Sequence, residues 1–148
     1  MIWRTLIALL FAATLSGCQA PYKKADEEDK KPLKDQSNDT TYQAFLGRLR
    51  IAVAKRDVAM LASMMTPDFG YRWDTPPPGE TPFVYWDQND LWGELNSLLK
   101  ERFAPKDLYM VAPPQAVSDP EYAGYRVGMR VVGGSWKFAY FVGADDSQ

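Results

Sequence analysis

The chain has no histidine and only one cysteine among its 148 residues. Without histidine it lacks the side chain that titrates near neutral pH, the commonest general base and the commonest metal ligand. A lone cysteine, Cys18, excludes an intrachain disulfide and a thiolate metal cluster, so no metal is expected. Net charge is also scarce: 17 Lys and Arg against 19 Asp and Glu leave a formal −2. Nucleic-acid binding needs a concentrated basic surface, so nucleic acid is not an expected partner. No phosphate-cradling glycine loop and no dinucleotide fingerprint occurs, so no cofactor is expected. Long apolar runs are missing too. The run at residues 6–13 is shorter than the roughly 20 residues that a helix needs to span a bilayer.

What is present begins with that run. Arg4 supplies a positive start, residues 6–13 are wholly apolar, and Leu15-Ser16-Gly17-Cys18 closes the segment with small residues. The three parts in this order read as a secretory signal peptide over residues 1–17. The closing tetrapeptide resembles the lipobox of bacterial lipoproteins. The resemblance implies that Cys18 receives a diacylglyceryl group, becomes the new N-terminus on cleavage and is N-acylated, with palmitate among the chains. Each buried methylene contributes about 0.8 kcal/mol, so two or three such chains hold a domain stably at a membrane. The implied partner is thus a membrane, and the implied place is the cell envelope. Gln19 after the cysteine, where an Asp would signal inner-membrane retention, implies the outer membrane facing the periplasm in a Gram-negative cell.

Residues 18–40 change character, with blocks of Lys, Asp and Glu, two prolines and few apolar side chains. Such a segment buries too little surface to offset its ordering entropy and is expected to be a disordered tether. A flexible stretch of this length spans roughly 25 Å.

Residues 41–148 form one expected domain, with 46% hydrophobic and 14% aromatic composition over the chain sufficient for a core. Thr40 and Gln43 fit a capping box, and Tyr42, Phe45, Leu46, Leu49, Ala52 and Val53 follow at helical spacing. Asp57 is placed to cap a second helix with Val58, Leu61, Met64 and Met65 inward, ended by Pro67. Residues 69–73 read as a strand, residues 75–79 as a proline loop, and residues 83–86 as a short strand. A third amphipathic helix runs from near Asp87 or Asn89 to before Pro105. Strands follow at residues 108–112, continued by 115–117, then at 122–132 and 135–142 around Gly133-Gly134, a hairpin signal. That turn predicts the pairs Val131 with Trp136, Met129 with Phe138, Val127 with Tyr140, and Tyr125 with Val142. On the other face it pairs Arg130 with Lys137, Gly128 with Ala139, and Arg126 with Phe141. Two facing cations require a carboxylate, another anion or water nearby.

This order is α+β, a curved antiparallel sheet packed against about three helices. The helix pair joined by Lys55-Arg56-Asp57, the strand directly after it and the final hairpin resemble the NTF2-like (SnoaL-like) cone fold. The resemblance implies a conical pocket whose owners include enzymes and binding modules.

Two groups of residues could use such a pocket. Trp73, Tyr85, Trp86 and Trp92 lie within twenty residues beside Pro76-Pro77-Pro78. With Arg126 they form a candidate binding set for a small apolar molecule, glycan or envelope protein, Trp86 and Trp92 being expected partly exposed. The other group is catalytic: an isomerase or hydrolase on an apolar substrate would draw on Asp68, Asp74 or Asp87 beside Arg72, Arg126 or a tyrosine. Plainer roles compete, with Asp57 and Asp87 as helix caps and Asp68 as a turn residue. The reading this favours is a membrane-anchored envelope lipoprotein with a non-catalytic ligand- or partner-binding domain; a scaffold making protein contacts alone is a further option.

Overall fold

A computed structural model describes residues 32–144. The signal segment, Cys18 and the tether up to residue 31 lie outside the described residues. Among residues 32–39, expected within the tether, Leu33 meets the domain. The Leu33 amide donates to the Asp107 carbonyl at 2.6 Å, and its side chain packs on the core.

Helix α1 (Thr40–Lys55) starts one residue earlier than a Thr40 capping box requires. Asp39 is the N-cap: its carboxylate accepts from the Tyr42 amide at 2.8 Å and from the Thr41 hydroxyl. Gln43 does not reach back to the cap; its side chain donates to the Ser37 carbonyl. The six residues expected inward on α1 are the six that are buried. Arg56 closes the helix in the left-handed conformation, φ 50°, its amide bonded to Ala52 and Val53 carbonyls. Asp57 then caps α2 (Val58–Met64) by accepting from the Met60 amide. Leu61 and Met64 are buried as expected, whereas Val58 is exposed.

Strand β1 (Met65–Gly70) begins at once, four residues before the expected strand at 69–73. Pro67 therefore stands inside a strand rather than ending a helix. It is tolerated because β1 is an edge strand, where a missing amide hydrogen costs no ladder bond. Residues 83–86 are not a strand but part of helix α3 (Pro82–Gln88). Thr81 caps this helix through the Val84 amide, Pro82 supplies a preset first-turn φ, and Phe83 and Trp86, three apart, both turn to the core. Aromatic and β-branched residues favour strands by propensity, and capping together with tertiary burial overrides that here.

Helix α4 (Trp92–Leu98) leads to β2 (Ala104–Lys106) and β3 (Tyr109–Ala112). Gln115 to Val117, expected to extend a strand, instead lie in helix α5 (Gln115–Ser118), where Pro113 and Pro114 carbonyls accept the first amides. Strands β4 (Arg126–Val132) and β5 (Ser135–Val142) end the described domain. The sheet order is β1-β5-β4-β3-β2. All pairs are antiparallel except β1 with β5, which run parallel, so the sheet is mixed rather than antiparallel throughout. The fold class is α+β, with five helices among the described residues rather than about three.

Gly133 and Gly134, with φ of 57° and 78°, form the expected two-residue turn. Val131 pairs with Trp136, Arg130 with Lys137 and Met129 with Phe138, as the turn dictates. Beyond that the register slips by one at a bulge: Gly128 meets Tyr140, Val127 meets Phe141 and Arg126 meets Val142. The slip brings Phe141 onto the same face as Phe138, against the helices, and turns Tyr140 to the other face. Gly128 makes room for it, since any Cβ there would collide with the Tyr140 ring.

One face of the sheet carries Met110, Ala112, Val127, Met129, Phe138 and Phe141 against the apolar faces of α1–α4. Trp86 sits at the centre, fully buried, with edge contacts to Phe69, Phe83, Trp92 and Phe141 at 5.2–6.0 Å.

Candidate functional site

The expected aromatic set is divided by the fold. Trp86 and Trp92 are buried, at 0% and 4% exposure, against the expectation that they stand partly open. The reason is helical phase: α3 and α4 present them to each other and to the sheet, ring centroids 5.2 Å apart. The Trp92 indole donates to Asp87 at 2.7 Å, so Asp87 holds a ring rather than capping α4, whose N-cap Leu91 has no side-chain bond. Arg56 lies over the Trp92 ring. Trp73 is the exposed member, at 56%. Its indole N–H is spent on the Gly143 carbonyl, 3.0 Å away.

Tyr85 belongs to a clamp that the sequence does not announce. Arg72 holds Asp74 with two bonds of 2.7 and 2.8 Å and reaches Glu80 with a third of 2.7 Å, its guanidinium 5.1 Å from the centre of the Tyr85 ring. Asp74, first, and Glu80 raise the affinity of Arg72 for its proton. The clamp ties both ends of the proline loop together. The same Arg72 bond lowers the proton affinity of Asp74.

Arg126 packs its guanidinium over Tyr122 at 5.3 Å and donates to the Tyr122 carbonyl at 2.8 Å. The Tyr122 hydroxyl in turn donates to the Tyr125 carbonyl. Arg126 thus braces the loop before β4. Asp68 pairs with Arg130 at 2.8 Å, and Lys137 donates to the Ser63 carbonyl at 3.0 Å. The expected compensation for the facing cations is therefore a carboxylate and a carbonyl. Asp68, Asp74 and Asp87 are all exposed and already engaged, by Arg130, Arg72 and Trp92. The structure does not bring any two of these three carboxylates together. Among the described residues, no group of three His, Cys, Asp or Glu could hold a metal, and no helix is long and apolar enough to cross a membrane.

A groove lies elsewhere. It has a volume of about 380 Å³ and runs between α1 and the segment after α4. Tyr42, Leu46 and Arg50 form one wall, and Lys100, Arg102 and Phe103 the other. Ser37, Gln43 and Glu101 complete it. The wall residues of α1 sit at i, i+4 and i+8, one stripe of the helix. Arg50 is fixed by its Nε, which donates to the Leu99 carbonyl at 2.7 Å. The Tyr42 side chain is 1% exposed and its hydroxyl has no hydrogen-bond partner among the described residues. Burial pushes its proton affinity up, which keeps it a neutral donor. Sequence reading passed over this site. The alternation Lys100-Glu101-Arg102 is its one local signal, and Arg50 joins it across 50 residues of chain.

No protein-family model, no curated protein and no solved structure matches this chain.

Proposed function

We propose that the protein is a bacterial lipoprotein of the cell envelope, anchored through acylated Cys18, whose α+β domain binds a ligand or partner without transforming it. The observation that carries the reading is the tetrapeptide Leu15-Ser16-Gly17-Cys18 placed directly after the short apolar run. In a Gram-negative cell Gln19 assigns it to the outer membrane, facing the periplasm. The domain adds support of a different kind. It offers an open groove lined by cations beside the place where the chain enters the fold, and the candidate carboxylates Asp68, Asp74 and Asp87 are committed to neighbours.

An NTF2-like cone is part of the same proposal. Its support is the helix pair α1–α2, the strand that follows without a gap, and the closing β4–β5 hairpin. In this reading the cone is filled by large rings, Trp86 above all, so the ligand surface lies outside it.

The test is expression of the full-length chain in a bacterial envelope beside its Cys18→Ser variant. The native chain should fractionate with membranes and carry the mass of a diacylglyceryl group and an amide-linked acyl chain. The variant should lose that mass. Equal masses and equal fractionation would refute the anchor.

A further inference from the structure

The groove between α1 and the segment after α4 gathers three cations, Arg50, Lys100 and Arg102, against one lining carboxylate, Glu101. Among the described residues none of the three cations has a carboxylate within ion-pair distance. Asp35, outside the lining, feels the charge of Arg102 without pairing with it, and its Oδ1 accepts from the Ser37 amide and hydroxyl. Three cations around one concavity, none paired with a carboxylate among the described residues, repel each other, and an anion relieves that cost.

The donors are also arranged rather than merely present. The Arg50 bond to Leu99 uses Nε alone, so both terminal nitrogens remain to grip an oxyanion in the forked manner that suits phosphate. Tyr42 lines the groove as well, but its hydroxyl is closed off from solvent and is not one of these donors. Leu46 and Phe103 floor the groove beside the charges, although both are almost wholly buried in the core.

Position completes the argument. The chain enters the domain at Leu33, tied to Asp107, and passes the groove at Ser37. Cys18 stands fifteen positions before Leu33 in the sequence. We propose that this groove is a binding site for a phosphoryl group, carried either on a lipid headgroup or on a free phosphate ester. This deepens the binding-domain reading and rests on it; the anchor itself enters only through the lipid as a source.

The experiment titrates the full-length protein, in a neutral detergent, with three probes while the amide resonances of residues 42–50 and 100–103 are followed. The probes are dihexanoyl phosphatidic acid, inorganic phosphate and dihexanoyl phosphatidylcholine. Saturable shifts with phosphatidic acid, at least about ten-fold tighter than with phosphate and absent with the zwitterionic lipid, support the site and identify a lipid source. Equal binding of phosphate supports the site and identifies a free ester. Lys100→Gln with Arg102→Gln, both on exposed side chains, should weaken either probe by about ten-fold or more, and raising the salt should weaken it further. No saturable shift with either anion, or undiminished binding by the double variant, overturns the proposal. A chain that lacks acyl mass yet binds phosphate would keep the groove and remove the anchor. An acylated chain that binds neither anion would do the reverse.

Discussion

Gly128→Ala tests the reason for the slipped register in the β4–β5 hairpin. Gly128 pairs with Tyr140, and a Cβ at position 128 would overlap the Tyr140 ring, 2.7 Å from its hydroxyl and closer still to Cε1 and Cζ. Ordinary carbon contacts lie near 3.5–4.0 Å, so the ring must retreat by roughly 1 Å or more. It has little freedom to do so. Its ring packs edge-on against Tyr109, centroids 5.4 Å apart, and burial closes it in. Overpacking of this kind costs about 1–3 kcal/mol. Gly128 has no positive φ, so alanine is otherwise permitted there, and it should stabilise by up to about 1 kcal/mol through the unfolded chain once the clash is gone. The unfolded-chain gain is present with and without the ring and cancels, so the predicted coupling between Gly128→Ala and removal of the ring by Tyr140→Ala is the overpacking cost, about 1–3 kcal/mol. Urea unfolding at constant m measures it across the four proteins of the cycle, with Tyr140→Val replacing Tyr140→Ala should the latter not fold. If Gly128→Ala costs the same with and without the Tyr140 ring, the ring does not explain the glycine and the reasoning fails.

Trp86→Ala should remove about 3–5 kcal/mol, a large part of the 5–15 kcal/mol that ordinary domains possess, because its side chain is fully buried at the centre of the core. Trp86→Phe should be much milder, since it also removes an indole N–H that has no partner; equal losses in chemical denaturation would argue against the central packing role. Burial pushes the Tyr140 hydroxyl up to about 12, with Tyr109 adding to the rise and Arg126 opposing it. Its contribution to stability is therefore complete below the unfolded value near 10 and is lost as the pH climbs through the folded value. Alkaline unfolding curves should show this loss for the native chain and less of it for Tyr140→Phe; identical curves would refute the assignment. Arg72→Lys keeps the charge but cannot span Asp74 and Glu80 in a rigid fork, so limited proteolysis should cut the loop at residues 73–80 faster. An unchanged cleavage rate would show that the clamp does not order the loop.

The candidate site was barely legible in sequence. Clustering along the chain selected Trp73, Tyr85, Trp86 and Trp92, but a cluster in sequence is not a patch in space. Helical phase buried Trp86 and Trp92 and left Trp73 exposed. The groove cations come instead from two segments 50 residues apart, joined because Arg50 reaches the carbonyl that ends α4.

By itself the sequence determined whatever depends on near neighbours. The α1 face followed from 3.6-residue periodicity, the start of α2 from Asp57, and the first hairpin pairs from Gly133-Gly134, because each rests on contacts a few residues apart. The tertiary structure decided the rest. It made residues 83–86 helical by giving Phe83 and Trp86 one common core face, and it admitted Pro67 to a strand by setting β1 at the sheet edge. It set β1 parallel to β5, and it slipped the register at Gly128 so that Phe138 and Phe141 could face the helices together. Burial is a property of the whole chain, and where it conflicts with a local preference of a few tenths of a kcal/mol per residue, burial wins.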